Sequence, residues 1–253
     1  MADVLRSQLL ESLGVRHGFS LRTGGVSEGD FASLNLGRTL GDAPEAVAEN
    51  HARYAQAVGF PDGALYEVSQ VHGAEVLAVE KGLDVAALRT RSADALIAER
   101  PGVAVGIRTA DCLGLLLASP DGGVVAAVHA GWRGTVAGIV GSAVAALAER
   151  GVERATLRAA ILPHIGVCCF EVGPDVADAI DGASDASDVV VSRRPRPHVD
   201  LARVVEAQLA GAGVDAGRVD RVPGCTCCQP DRFYSHRRDG DRSGRHVAAI
   251  VAS

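Results

Sequence analysis

The sequence predicts an α+β protein built on mixed sheets. Pairs of hairpin strands alternate with single helices along the chain, an order that argues against a doubly wound parallel sheet. No G-x-G-x-x-G follows a predicted strand and there is no P-loop lysine motif, so a nucleotide cofactor has no support. The 253 residues, 47% of them hydrophobic, suit one large domain or two halves that share a core. We expect a single domain over residues 1–253.

Two helices have clear sequence boundaries. The first is predicted over 43–58, with Asp42 as N-cap, Pro44 in the first turn and Gly59 at its end. The second, over 135–150, begins with a threonine after a glycine and ends before a glycine. The remaining predictions are helices over 174–180 and 201–212, strands within 64–79 and over 95–98, 103–107, 113–119, 124–129, 156–162 and 245–251, and loops over 20–42 and 181–198, the second being the expected flexible connection.

One predicted hairpin brings two soft metal ligands together. The strands over 113–119 and 124–129 are joined by the turn Pro120-Asp121-Gly122-Gly123. Pairing about this turn places Cys112 opposite the residues that begin with His129. Because Cβ atoms of cross-strand neighbours lie roughly 5 Å apart, this thiolate and this imidazole could bind one ion.

His72 is the third candidate ligand, from another part of the chain. Two histidines and one cysteine leave one tetrahedral position open, which is typical of catalytic zinc. A single cysteine is ordinarily a small buried residue, and a single histidine is ordinarily a hydrogen-bonded core or surface residue. The surroundings favour the metal site, because Cys112 follows Asp111 at a strand entry and His129 precedes Ala-Gly-Trp-Arg-Gly, whose glycines permit close backbone approach to a ligand.

Charge and composition exclude some classes of binding partner and indicate the cellular compartment. The formal net charge is −6, and no helix-length stripe of Lys and Arg is present, so neither nucleic acid nor an anionic membrane surface is an expected partner. The N-terminal segment lacks the uninterrupted apolar run of a signal peptide, and the most apolar stretch, 136–148, is too short to span a bilayer. We therefore expect a cytoplasmic protein whose six cysteines stay reduced.

A series of ordered motifs runs from about residue 15 to the C-terminus. The motifs are Arg22-Thr-Gly-Gly-Val-Ser27, Ser33-Leu-Asn-Leu-Gly37, Gly41-Asp42, Gln70-Val-His-Gly73, Ala93-Asp-Ala95, Thr109-Ala-Asp-Cys112, Val128-His-Ala-Gly-Trp-Arg-Gly134, Phe170-Glu-Val-Gly173, Cys225-Thr226, Arg237-Arg-Asp-Gly240 and Gly244-Arg245. Together they resemble the YfiH family, also called the laccase-domain family. Departures from the family pattern at His51, at Gly114 and at Leu162-Pro-His-Ile165 leave the three candidate ligands in place.

The resemblance implies a fold, a metal site and a reaction. The fold is a layered αββα sandwich. The family's metal-binding active-site residues carry over to His72 in Q-V-H-G, Cys112 in A-D-C and His129 in H-A-G-W-R-G. The relatives are similar to zinc-associated purine nucleoside enzymes, which implies zinc-dependent cleavage of adenosine, inosine, guanosine or methylthioadenosine by phosphate, with adenosine deamination as a second activity. The implied partners are a purine nucleoside and phosphate, and the implied assembly is a monomer or homodimer.

Four further residues are candidates for supporting the reaction. Arg133, at the predicted N-terminus of the 135–150 helix, would hold phosphate together with free backbone N–H groups, unless it is only a surface arginine in a tight turn. Arg22 and Asn35 match family motifs and are expected to line the substrate pocket, or alternatively to stabilise a loop. Asp111 is expected either to orient a ligand imidazole or to cap the strand entry.

Several alternatives remain open at this point. A cysteine hydrolase or peptidoglycan-editing amidase would use Cys112 as nucleophile and His129 as base, without metal. A copper-dependent polyphenol oxidase builds its several copper sites from many histidines, commonly in closely spaced pairs, whereas this sequence has 8 histidines and no His-x-His pair. Copper would therefore bind only adventitiously in vitro, in the three-ligand site. A non-catalytic ligand-binding protein is a third class.

The remaining cysteines are ambiguous. Cys225 and Cys228 form a C-x-x-C, but its partner in a structural zinc site would have to be the adjacent pair Cys168-Cys169. This spacing argues against such a site. We therefore expect these four residues and Cys227 to be buried thiols.

Overall fold

The computed structural model describes residues 2–192 and 195–253. The strands of this part of the chain are, in order, β1 Val4–Leu5, β2 His17–Ser20, β3 Leu65–Tyr66, β4 Val76–Ala78, β5 Ala95–Ala98, β6 Ala104–Thr109, β7 Leu113–Ala118, β8 Val125–Ala130, β9 Arg158–Ile161, β10 Val190–Ser192, β11 Pro197–Val199, β12 Val219–Arg221 and β13 His246–Val251. A five-stranded sheet has the order β1-β2-β13-β6-β3, and a six-stranded sheet has the order β12-β9-β7-β8-β5-β4. Both contain parallel and antiparallel pairs, as predicted.

The helices are short apart from three. They are α1 Gln8–Glu11, α2 Pro44–Val58, α3 Val85–Leu88, α4 Trp132–Val136, α5 Ile139–Ala148, α6 Pro174–Asp181, α7 Leu201–Gly211 and α8 His236–Asp239. Within the described ranges, no helix combines the length and the apolar character that crossing a bilayer requires.

The two large sheets face each other across an apolar core. Leu116 of β7 and Ile107 of β6 belong to this inner core, with all of their surface buried. The outer face of the six-stranded sheet, which includes Leu115, packs against α5, α6 and α7. The outer face of the five-stranded sheet, which includes Val247, packs against Tyr54 of α2. The order of layers is therefore helix, sheet, sheet, helix, and the αββα prediction is confirmed.

The β7–β8 hairpin has the predicted turn and register. Leu113 pairs with Ala130 and Gly114 pairs with His129, so Cys112, just before β7, lies opposite the end of β8. All residues of both strands are buried, because one face packs on helices and the other on the second sheet. Burial on both faces explains why these strands read as continuous apolar runs.

The predicted helix over 135–150 is two helices. Gly138 lies between α4 and α5 with a φ of +88°, a left-handed conformation that costs glycine little and that interrupts a helix. The first helix begins at Trp132, so Thr135 lies inside it. The prediction of one helix that begins at Thr135 is therefore wrong.

Asp42 does not cap α2. The N-cap is Ala43, which makes no side-chain bond to the helix. One carboxylate oxygen of Asp42 accepts hydrogen bonds from the Ser27 hydroxyl at 2.7 Å and the Asn35 amide at 2.8 Å. The carboxylate is thus used to order the loop that precedes the helix.

The predicted connection over 181–198 includes residues 193 and 194, which lie outside the described residues. On either side of them, β10 and β11 pair as an antiparallel hairpin, with Val190 opposite Val199. The described part of this connection therefore contains regular structure that the sequence prediction omitted.

Candidate metal centre and its cavity

The position of Cys112 is fixed by the preceding residue, Asp111. Asp111 has a φ of +94°, which is strained for a residue with a side chain. Its buried carboxylate accepts hydrogen bonds from Thr226 Oγ1 at 2.6 Å, from Ser235 Oγ at 3.0 Å and from the Arg237 backbone N–H at 2.6 Å. These bonds fix the strand entry beside Cys112, which agrees with the second of the two roles expected for Asp111, that of a cap.

The carboxylate that orients the histidines is Asp94. One of its oxygens lies 2.7 Å from His129 Nδ1, and both rest in a buried site. The same carboxylate accepts from the backbone N–H groups of Val71, His72 and Gly73 at 3.2, 3.0 and 2.7 Å. Because the bond to Asp94 occupies Nδ1 of His129, its Nε2 is left as the ligand atom.

The three predicted ligands converge. Cys112 Sγ and His72 Nε2 are 4.0 Å apart, and the donor atoms of His72, Cys112 and His129 all lie within 4.8 Å of one another. A tetrahedral zinc ion with usual bond lengths would hold a sulfur and a nitrogen about 3.6 Å apart. The donor set and its spacing therefore fit a zinc ion after a small contraction.

Gly131 allows this convergence. A Cβ atom at this position would lie 3.2 Å from Cys112 Sγ and 3.1 Å from His72 Cδ2. Any larger residue at the end of β8 would push two ligands apart. The glycine of H-A-G-W-R-G thus has a steric reason to be there.

The electrostatics of Cys112 and His129 are coupled. Burial raises the pKa of the Cys112 thiol, but hydrogen bonds to His129 and His72 outweigh it and lower that pKa to about 6. Burial lowers the pKa of His129, but its bonds to Asp94 and Cys112 outweigh it and raise that pKa to about 9. Near pH 7 the metal-free site therefore holds a thiolate, the form that binds soft metals.

The three ligands open into a cavity of about 410 Å³ with a cationic wall. The guanidinium-bearing residues of this wall are Arg38, Arg108 and Arg245. Arg108 pairs with the buried carboxylate of Glu67 at 2.8 Å, and Arg38 lies 3.6 Å from the same carboxylate. Burial alone raises the pKa of Glu67, and the neighbouring guanidiniums, Arg108 first, overcome this and lower it. The wall keeps an excess of positive charge, which suits an anion.

Arg22 and Asn35 do not line this cavity. Arg22 donates to the carbonyl oxygens of Ala32 and Pro230, and its guanidinium lies 4.8 Å from the centre of the Tyr234 ring. Asn35 is fully buried, and its amide oxygen accepts from the backbone N–H of Arg245 at 2.9 Å. Both residues stabilise loops. The bond from Asn35 holds the backbone of Arg245, which lines the cavity.

Arg133 lies in a different cavity. Its guanidinium sits 4.4 Å from the centre of the Trp132 ring, and it lines a depression that also includes Phe170, Glu171 and Arg237. The cationic wall of the metal-site cavity is formed by other arginines.

Sequence reasoning missed Asp94 and the cationic wall. Asp94 stands in the motif Ala93-Asp-Ala95 immediately before β5, which pairs with β8. A carboxylate at that strand entry was the available signal, and the β5–β8 pairing was needed to connect it with His129.

Comparison with known proteins agrees with this fold and identifies the family of the chain. Residues 16–253 match the family model described as "Multi-copper polyphenol oxidoreductase laccase", and the chain belongs to that family. A purine nucleoside phosphorylase of Deinococcus radiodurans is 41% identical over 94% of this chain and 90% of its own length. The purine nucleoside phosphorylase YlmD of Geobacillus stearothermophilus is 34% identical with the same two coverages.

Solved structures place the chain in the YfiH branch of the family. The Bacillus licheniformis hypothetical protein YfiH superposes with a TM-score of 0.88 at 30% identity, covering 95% of this chain and 93% of that one. YlmD of Geobacillus stearothermophilus also gives 0.88, at 32% identity, covering 94% and 92%. The resemblance to the YfiH family is confirmed.

Proposed function

We propose that this chain is a zinc-dependent purine nucleoside phosphorylase. The observation that carries the proposal is the convergence of His72, Cys112 and His129 in a cavity with a wall of three arginines. Relatives that match nearly the whole chain carry the name purine nucleoside phosphorylase, which supports the same reaction class.

The reaction joins phosphate to the sugar and releases the base. A phosphate oxygen forms a bond to C1′ of the ribose, the bond from C1′ to N9 breaks, and its electron pair goes to the purine, which takes up a proton. The products are the free purine and ribose 1-phosphate, or 5-methylthioribose 1-phosphate where the nucleoside is methylthioadenosine. Adenosine, inosine, guanosine and methylthioadenosine are the proposed nucleosides. They are uncharged, so the cationic wall is left to bind phosphate.

Zinc is the proposed metal, held by His72, Cys112 and His129. A zinc ion with one open position supplies a Lewis acid in the cavity. Asp94 keeps His129 in the tautomer that offers Nε2, and its bonds to the backbone around His72 hold the second imidazole in register.

We assign phosphate binding to the cationic wall of the cavity. Arg245 is anchored by bonds from Nη1 to the carbonyl oxygens of Ser243 and Gly244, at 2.5 and 3.1 Å. Arg108 is anchored by Glu67 and by a bond to the carbonyl oxygen of Val68 at 2.8 Å. Guanidiniums fixed in this way lose little entropy when they bind an oxyanion. We therefore propose Arg245 and Arg108, in place of Arg133, as the phosphate contacts.

Adenosine deamination is a second proposed reaction of the same cavity. Water would attack C6 of adenine, ammonia would leave, and inosine would form. This reaction needs no phosphate, so the arginine wall contributes less to it. The two activities can therefore be separated by substitutions in that wall.

A metal-free cysteine hydrolase is the competing assignment. The lowered pKa of Cys112, about 6, and its bond to His129 favour a reactive thiolate. In that assignment His129 would act as the base, and zinc would inhibit the enzyme by occupying the thiolate.

The test is product analysis. Purified protein is incubated with inosine or adenosine, with and without phosphate, and ribose 1-phosphate and purines are quantified. We expect one ribose 1-phosphate for each free purine formed, only when phosphate is present. Cys227→Ala serves as a control thiol substitution outside the cavity. Purine release with free ribose, or no cleavage of any nucleoside, would overturn the proposal.

A further inference from the structure

A second group of metal-type ligands lies outside the cavity. Cys168 and Cys169 follow β9, and Cys225 and Cys228 follow β12. Their four sulfur atoms all lie within 4.8 Å of one another, and the Sγ atoms of Cys168 and Cys228 are 3.8 Å apart. The parallel pairing of β9 and β12 brings the two loops together.

We propose that these four cysteines bind a structural zinc ion. With zinc–sulfur bonds of about 2.3 Å, a tetrahedral site holds its sulfur atoms about 3.8 Å apart. The Cys168–Cys228 distance has this value, and the other sulfur pairs, all within 4.8 Å, need at most a contraction of about 1 Å to reach it. A multi-iron cluster binds its cysteines on separate metal atoms, which needs a wider arrangement of sulfurs. Four protein ligands leave no open position, so the site is structural and not catalytic.

Exposure argues against a simple packing role for these thiols. Cysteines that serve as small apolar residues are buried. Cys168 and Cys228 are exposed and Cys169 is half-buried, whereas only Cys225 is buried. The prediction of buried thiols is therefore wrong for most of this group.

The surroundings suit a charged tetrathiolate. The backbone N–H of Gly166 donates to Cys225 Sγ at 3.3 Å, a bond that stabilises a thiolate. A zinc ion with four thiolates carries two negative charges. Arg237 of α8 donates to the carbonyl oxygen of Cys169, and Arg238 of the same helix donates to that of Cys227, so two guanidiniums contact the cysteine loops. Arg238 is also paired with Asp239 at 2.7 Å, and Arg237 offsets part of the charge of the site.

The site would fasten the loops that support the catalytic cysteine. The backbone N–H of Thr226, between two of the ligands, donates to the carbonyl oxygen of His164 at 3.0 Å. Its hydroxyl donates to Asp111, and the N–H of Ile165 donates to the carbonyl oxygen of Asp111 at 2.9 Å. Loss of the ion would loosen the two loops that carry Thr226 and Ile165. The hydrogen bonds of these two residues to Asp111, the strained residue beside Cys112, would weaken as a result.

Metal content tests the proposal. Zinc per chain is measured by mass spectrometry in the wild type, Cys112→Ala, Cys228→Ser and the double variant, each expressed in zinc-supplemented medium. Cys112→Ala removes a ligand of the proposed catalytic ion, so any zinc that it retains belongs to another site. We expect about one ion in Cys112→Ala and about none in the double variant. Cys227→Ser, a matched thiol in the same loop, should keep the wild-type content.

Cobalt substitution gives an independent measurement on a chain with all four thiols. Metal-free Cys112→Ala is titrated with Co²⁺ under reducing conditions. We expect an intense thiolate-to-cobalt charge-transfer band and the visible bands of tetrahedral Co²⁺, saturating at about one equivalent. This result supports the tetrathiolate whether or not the protein cleaves nucleosides.

Three outcomes would overturn the proposal. The first is the same zinc content in Cys112→Ala and in the double variant, together with no charge-transfer band. The second is a disulfide among these cysteines in freshly isolated protein, detected by intact mass before and after reduction. The third is iron with the absorption of an iron–sulfur cluster.

Discussion

Two arginine-lined cavities of this protein differ in what accompanies the arginines. The cavity lined by Arg245 also contains the three candidate metal ligands, whereas the cavity lined by Arg133 is formed by Trp132, Phe170 and Glu171. Arg133 follows His129 closely in sequence, yet it stacks on Trp132 in a separate depression. Arg245 is remote in sequence, yet it lines the cavity of Cys112. The cavity that an arginine enters therefore depends on the direction in which the backbone presents its side chain. Closeness in sequence to a metal ligand does not decide it.

The largest effect is expected for Cys112→Ala. Removing the thiolate eliminates a charge and a ligand together, so bound zinc at this site and phosphorolysis should be lost together. We expect turnover to fall by at least about a thousandfold, equivalent to about 4 kcal/mol of activation free energy. Steady-state assays and metal analysis on the same preparation measure both. Activity close to wild type would contradict the assignment of the metal site.

The next effect compares Arg245→Ala with Arg133→Ala. Loss of one charged hydrogen-bonding group typically costs about 1.5–3 kcal/mol, or roughly 10- to 150-fold in affinity. We expect Arg245→Ala to raise the KM for phosphate by such a factor and to affect deamination much less. Arg245→Lys should restore only part of the affinity, because it keeps the charge and loses the planar fork.

Arg133→Ala is the matched control in the other cavity, and its KM for phosphate should stay within about twofold of wild type. If Arg133→Ala raised this KM while Arg245→Ala did not, the two cavities would have to exchange roles.

These two arginines also show which parts of the site could be predicted from the sequence and which could not. The β7–β8 hairpin follows from local apolar runs and a turn, so the pairing of Cys112 with the end of β8 was predictable. The position of Arg245 depends on β13 pairing with β6, and no local pattern specifies that long-range contact. The break at Gly138 was hidden for another reason, because glycine is also tolerated inside helices.

The four-cysteine cluster, like the position of Arg245, depends on a long-range strand pairing that the sequence does not specify locally. Ligand spacing along the chain argued against it, whereas the parallel β9–β12 pairing joins the two loops in space. Asp94 likewise required the β5–β8 pairing to be connected with His129. In each case the motif residues were visible and the contact between distant segments was not.

Asp94→Asn should have an intermediate effect. Asparagine keeps the shape but weakens the acceptor for His129 Nδ1, and loss of such a partner typically lowers metal affinity or activity by about 10- to 100-fold. A positioning role predicts that zinc affinity falls and that excess zinc restores part of the turnover. Competition with a chromophoric chelator measures the affinity. Glu149→Gln, at the end of α5, is the control carboxylate, and equal losses in both variants would contradict the role of Asp94.

The smallest effect is a pH profile of Cys112 in metal-free protein. Its pKa is lowered to about 6, so the thiolate predominates above that pH and is lost as the pH falls through it. Alkylation by iodoacetamide should therefore rise about tenfold from pH 5 to pH 7 and then level off. Peptide mass spectrometry measures the rate at this residue. In urea the midpoint should return to about 8.5, and a folded-state midpoint at that value would contradict the thiolate in the cavity.

We propose that phosphorolysis depends on a metal ion held by His72, Cys112 and His129. The most direct measurement is the rate of inosine phosphorolysis by chelator-treated protein, read during stepwise addition of zinc while circular dichroism monitors the fold. We predict that activity disappears with the metal, that the sheets and helices persist even if the loops of the four-cysteine site loosen, and that zinc restores the rate to its original value. Full phosphorolysis by the metal-free protein would show that the reaction does not depend on this metal.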